Sequence, residues 1–91
     1  MMTMSEFRKF NAEQDRYFFS ENTMRSFNSI IETGFIKGCY FVTSEKCPGG
    51  RHPRLYTVRE ANFETANVSK ASEFQEFSEL DDAVNYIIEE L

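Results

Sequence analysis

The 91-residue chain has no tryptophan, one histidine, two cysteines, two prolines and four glycines. Each scarcity excludes something. Two cysteines without a Cys-x-x-Cys spacing do not make a structural zinc site, which needs about four ligands. Few glycines and prolines exclude collagen-like and low-complexity chains. Long apolar runs are missing too. The longest is Cys39-Tyr40-Phe41-Val42, so no segment is a membrane-span candidate. The start, Met1 to Glu6, has no basic region followed by an apolar stretch, so it does not read as a secretory signal. The chain therefore reads as cytoplasmic, with thiols that stay reduced.

What is present is aromatic. Ten phenylalanines and four tyrosines stand among 91 residues, and 41% of the chain is apolar. A chain this short buries only about 60% of its unfolded surface. Each buried aromatic removes roughly 150–250 Å² from water, so a Phe-rich core compensates where disulfides and metals do not.

The net charge of −5 is unevenly placed. Residues 1–16 balance Glu6, Glu13 and Asp15 against Arg8, Lys9 and Arg16, and residues 17–69 are nearly neutral. Residues 70–91 set Lys70 alone against Glu73, Glu76, Glu79, Asp81, Asp82, Glu89 and Glu90. An acidic excess argues against direct nucleic-acid binding, which needs Lys and Arg facing phosphates.

Periodicity organises the chain as one domain, 1–91, with residues 1–16 as a loosely attached helix that Ser5 would cap. Tyr17-Phe18-Phe19 is a strand or an extended docking segment. Met24, Phe27, Ile30 and Ile31 share one helical face, which predicts a helix over 21–33 that Ser20 caps and Gly34 ends. Residues 35–44 and 54–62 read as strands of an antiparallel hairpin, with Cys39 inside the first. A weaker strand follows at 68–72. The stripe Leu80, Val84, Ile87, Leu91 predicts a final helix over 79–91, capped by Ser78, with Asp81 at its third position. Glu89 and Glu90 then fall at the negative helix end, a mild local conflict. The sum is a small two-layer α+β domain: an antiparallel sheet of about three strands with two helices on one face. Phe27, Ile30, Phe41, Val58, Val84 and Ile87 form its expected core.

No catalytic signature is present, and no catalytic residue, metal ligand set or cofactor is assigned. Cys47 and His52 could pair as nucleophile and base, but they lie in a Gly-rich loop that gives no rigid support. Gly49-Gly50-Arg51 lacks both the phosphate-loop pattern and a following helix. Lys46, Arg51, Arg54 and Arg59 make a basic hairpin, with His52 beside them. It closes on the chain's own acidic C-terminal helix, grips an acidic protein surface, or meets a single strand of nucleic acid. The acidic set reads as a solvated face or as a surface whose carboxylates stand in for phosphates.

The run Tyr17-Phe18-Phe19-Ser20-Glu21-Asn22-Thr23-Met24-Arg25-Ser26-Phe27-Asn28-Ser29, then Tyr40-Phe41-Val42-Thr43-Ser44-Glu45-Lys46, then Arg54-Leu55-Tyr56-Thr57-Val58-Arg59 resembles a family of small uncharacterised proteins carried by bacterial phages and conjugative elements. Ser72-Glu73-Phe74-Gln75 fits the same pattern. The resemblance covers about residues 17–77 and supplies no catalytic residues. It implies a mobile-element setting, in which small acidic proteins often antagonise host defence, as anti-CRISPR and anti-restriction proteins do. The expectation is a non-enzymatic inhibitor of a host protein or ribonucleoprotein complex, acting through the acidic surface. The alternative is a small nucleic-acid-binding accessory protein using the basic hairpin.

Overall fold

The consecutive residues Phe41, Val42, Thr43 and Ser44 are all buried, although their side chains point alternately to opposite faces of a strand. A strand buried on both faces needs a layer on each side, and a computed structural model shows both layers. It describes residues 2–46, 54–71 and 76–91. The elements are α1 (Met4–Glu13), α2 (Glu21–Ser26), β1 (Ser29–Ile31), β2 (Tyr40–Lys46), β3 (Arg54–Ala61), β4 (Val68–Lys70) and α3 (Leu80–Glu90). The strands form one antiparallel sheet in the order β1-β2-β3-β4.

The domain is therefore α+β with four strands and three helices, not about three strands and two helices. It is also not two-layered. On one face, Val42 and Val58 pair across β2 and β3 and pack with Ala83 and Ile87 of α3. On the other, Phe41 packs with Ala61 and with Phe7 of α1. Phe7 is fully buried. Its ring centroid lies 5.7–6.5 Å from those of Phe10, Phe19, Phe35 and Phe63, in edge-to-face geometry throughout. Such pairs add about 0.5–1.5 kcal/mol each beyond burial. The expected single core is thus two cores divided by the sheet, and residues 1–16 supply the centre of one of them.

The predicted helix over 21–33 stops at Ser26. Ser20 caps it as expected, its hydroxyl accepting from the Thr23 amide at 3.1 Å. The ending is Asn28, which takes a left-handed φ of 52°. Asn tolerates that conformation, and the β-branched pair Ile30-Ile31 then continues as β1. The helical stripe dissolves with it: Phe27 is 59% and Ile30 49% exposed. Tyr17-Phe18-Phe19 forms a turn, with the Phe18 and Phe19 rings packed on Phe41. Cys39 sits in the turn before β2 rather than in the strand.

Two caps differ from expectation. Thr3, not Ser5, caps α1: its hydroxyl accepts from the Glu6 amide, and the Glu6 carboxylate accepts from the Thr3 amide in return. At α3 the cap position is Glu79, with no side-chain capping bond, so Asp81 is the second helical residue and not the third. The buried line of α3 runs through Ala83 and Ile87, while Val84 is only partly buried. Among the described residues, no helix is long and apolar enough to cross a membrane.

Candidate functional site

The acidic side of the molecule is built by α3. With Ala83 and Ile87 turned to the sheet, the spacing sends Asp81, Asp82, Asn85, Ile88 and Glu89 outward, and all five are exposed. Glu79 and Glu90 are exposed at its two ends. None of these carboxylates makes an ion pair among the described residues. Glu76 differs, pairing with Lys70 at 3.6 Å. Glu73 lies outside the described residues. The conflict at the helix end is eased by Lys37, whose ammonium donates to the Ile88 carbonyl at 3.3 Å. Ile88, 53% exposed, adds an apolar side chain at one edge of this charged face.

The basic hairpin is not one surface. Arg59 and Arg54 stand on opposite faces of β3, as the alternation of a strand requires. Arg59 donates to Thr43 Oγ1 at 3.1 Å and to Glu45 at 2.9 Å. Glu45 also accepts from Thr43 at 2.7 Å and Thr57 at 2.8 Å. The Arg59 guanidinium lies 5.6 Å from the centre of the Phe18 ring. Arg54 donates to the Ser44 hydroxyl, to the Ser44 carbonyl at 3.1 Å and to the Asn28 carbonyl at 3.4 Å. Neither Arg54 nor Arg59 closes on the C-terminal helix among the described residues: they are held by β2 and by the turn before β1. Lys46 is exposed and makes no ion pair among the described residues. Arg51, with Cys47, Gly49, Gly50 and His52, lies outside the described residues.

Cys39 is partly buried, and burial together with the nearby Glu60 carboxylate pushes its thiol up. Such a thiol is a poor nucleophile at neutral pH. No cluster of three or more His, Cys, Asp or Glu side chains able to hold a metal occurs among the described residues.

Sequence reasoning missed one concentration of charge. Arg8, Lys9 and Arg16 line a groove of about 330 Å³ between α1 and the 16–20 turn, with Tyr17 and Phe19. Summing charge over residues 1–16 hides it, because the acids of that segment do not line the groove. The capping box, which turns Glu6 back to Thr3, was the signal that could have separated them.

No curated protein and no solved structure matches the chain. Residues 3–87 match Family of unknown function (DUF7447). That span includes all four strands and α3 up to Ile87, so the match covers the whole sheet and both of its packed faces. The chain belongs to this family.

Proposed function

We propose that this protein is a non-enzymatic binding domain whose acidic α3 face docks on the basic surface of a protein or ribonucleoprotein that handles nucleic acid. The observation that carries the reading is the row Asp81, Asp82 and Glu89, exposed on one side of a helix, without ion pairs among the described residues, with the exposed Ile88 at its edge. Carboxylates in a row offer Arg and Lys the same negative oxygens as phosphates, and an exposed apolar side chain beside them adds surface that a partner can bury. In its narrower form the proposal follows the resemblance to proteins of mobile elements: the partner is a host defence complex of the CRISPR or restriction kind, and the protein acts inside the bacterial cell as its inhibitor.

The alternative basic-hairpin reading is weakened by geometry, since Arg54 and Arg59 are engaged on opposite faces of the sheet.

The test is a comparison of wild type with Asp82→Lys/Glu89→Lys in phage-plating assays and in pull-downs from cells expressing defined defence complexes. The reading expects loss of interference with wild type, restored interference with the double variant, and a complex that weakens with salt. No recovered complex and no effect on plating would count against it. Equal binding by the double variant would move the contact away from α3.

A further inference from the structure

The groove beside α1 has the makings of a second site, on the sheet face opposite α3 and independent of the reading above. Three cations line it, and Arg8, Lys9 and Arg16 make no ion pair among the described residues. The acids nearest in sequence, Glu13 and Asp15, are not part of its lining. Unneutralised positive charges gathered in a concave surface focus an attractive field on an anion.

The groove is also held in shape. The Arg8 guanidinium lies 5.8 Å from the centre of the Phe19 ring, which anchors one cation against the aromatic core. Asp15 takes a φ of 55° and turns the chain back, and the Arg16 amide donates to the Asn11 carbonyl at 2.9 Å. The Tyr17 carbonyl accepts from the Ser20 amide at 3.2 Å and from the Ser20 hydroxyl at 3.0 Å. Those bonds fix the backbone of Tyr17 while its side chain stays out: the residue is 65% exposed, next to Phe18 and Phe19, which pack inward. The ring makes no aromatic contact among the described residues.

We infer that this groove binds the phosphate and base of a single nucleotide unit, with Lys9 and Arg16 on the phosphate and the Tyr17 ring stacked on the base. A phosphate monoester carries about −1.5 to −2 charge at pH 7, which suits several cations better than a lone carboxylate does. A free aromatic ring beside cations is the pairing by which proteins hold bases and backbone together. The volume, about 330 Å³, is at the small end of ligand sites and suits one nucleotide rather than a length of strand. The acidic face of α3 lies across the sheet, and its repulsion is screened over a Debye length of about 8 Å at physiological salt.

The nucleotide could be free or the end of a strand, and two probes distinguish them. Backbone amide shifts of the full chain are followed against adenosine 5′-monophosphate, adenosine, inorganic phosphate and a 5′-phosphorylated five-residue deoxyadenosine oligonucleotide, at about 0.15 M salt. The proposal expects adenosine monophosphate to shift amides of residues 8–20 with a dissociation constant of about 1 mM or tighter, and adenosine to bind about tenfold more weakly. Lys9→Gln/Arg16→Gln should lose about tenfold in affinity at unchanged melting temperature. Tyr17→Ala should weaken the nucleotide and leave inorganic phosphate unaffected. Tighter binding of the oligonucleotide at the same amides assigns the site to a strand end. Equal or weaker binding assigns it to the free nucleotide. Two results would overturn the proposal. One is absence of shifts with both adenosine monophosphate and the oligonucleotide. The other is an equal loss in Lys37→Gln/Lys46→Gln, which removes the same charge away from the groove.

Discussion

The buried side chain of Asn11 donates from Nδ2 to the carbonyl of Ala66 at 2.7 Å, joining residues 55 positions apart. Ala66 is fully buried and takes a left-handed φ of 63°. Its own amide donates to the Asn62 carbonyl at 2.9 Å, and the Asn62 side chain accepts from the Glu64 and Thr65 amides. A non-glycine residue in that conformation persists only when its surroundings fix it. Asn11 is thus the link between α1 and the turn that joins β3 to β4.

Removing the donor tests that link. Asn11→Ala leaves the Ala66 carbonyl buried and unpaired, which costs about 1–3 kcal/mol. Asn11→Asp should be worse at neutral pH, because it sets a buried carboxylate against a carbonyl. Burial raises the folded-state pKa of that Asp above its unfolded value of about 3.9. Between the two values the folded state binds more protons than the unfolded, so the variant gains stability as pH falls through the folded pKa. Chemical denaturation at pH 7 and pH 4.5 reads both effects. An Asn11→Ala variant as stable as wild type would show the bond to be dispensable.

The two-core arrangement reverses the importance of two phenylalanines. Phe7→Ala should cost about 3–5 kcal/mol, since it opens a cavity where four rings meet. Phe27→Ala, at a residue 59% exposed, should cost less than about 1 kcal/mol. In a domain of about 5–10 kcal/mol total stability, the first change removes a large fraction of the whole and should lower the melting temperature steeply. Melting curves of the two variants decide, and comparable losses would contradict the separation of the cores.

That reversal shows what the sequence made legible. The hairpin strands, the β4 strand and the C-terminal helix follow from local pattern, and the structure has each. Ser20 was readable as a cap because its hydroxyl acts within four residues. The α2 ending was not, because Met24, Phe27, Ile30 and Ile31 fit a helical face as well as a turn followed by a strand. What decides is Asn28 at positive φ and the pairing of Ile30 and Ile31 with Ser44 and Thr43, a contact more than ten residues away. The second layer escapes for a similar reason: the expected core joins Phe41 to Val58, although Val58 pairs with Val42, whose side chain faces the opposite side of the sheet from that of Phe41. Of the site residues, the α3 carboxylates were legible because a solvated helix face needs no partner. Arg54 and Arg59 looked like one basic patch, and only the strand alternation with their bonds to β2 separates them.

Arg59 and Glu45 form the best-connected polar pair in the structure, at 2.9 Å with side chains 21% and 23% exposed. Glu45 retains bonds from Thr43 and Thr57 if Arg59 is lost, so its charge stays partly satisfied. A double-mutant cycle on Arg59→Met and Glu45→Gln should return a coupling of about 1–2 kcal/mol. Most of it should survive high salt, because buried pairs are screened less than exposed ones. A coupling below about 0.3 kcal/mol would place the pair with ordinary surface ion pairs.

The last prediction concerns acid. The Thr3 amide donates to the Glu6 carboxylate at 3.1 Å, and this bond, followed by that of the Thr3 side chain, holds the Glu6 pKa below the usual carboxylate range. The unfolded value is about 4.3. A folded pKa below the unfolded one means stability that is present above the unfolded value and lost as pH falls through the folded one. The loss belongs to the first turn of α1, and Phe7 is the next residue. Acidification should therefore loosen the aromatic core before it disturbs the α3 face of the sheet. A carboxyl titration by NMR should give Glu6 a midpoint below the unfolded value, and Thr3→Ala should raise it by removing the hydroxyl's share. Glu6→Gln keeps a neutral acceptor for the Thr3 amide, so it should hold α1 and remove the pH dependence of amide protection there, measured relative to intrinsic exchange. If α1 in Glu6→Gln loses protection with acid as the wild type does, the capping carboxylate is not the group that titrates, and the acid sensitivity of this core has another source.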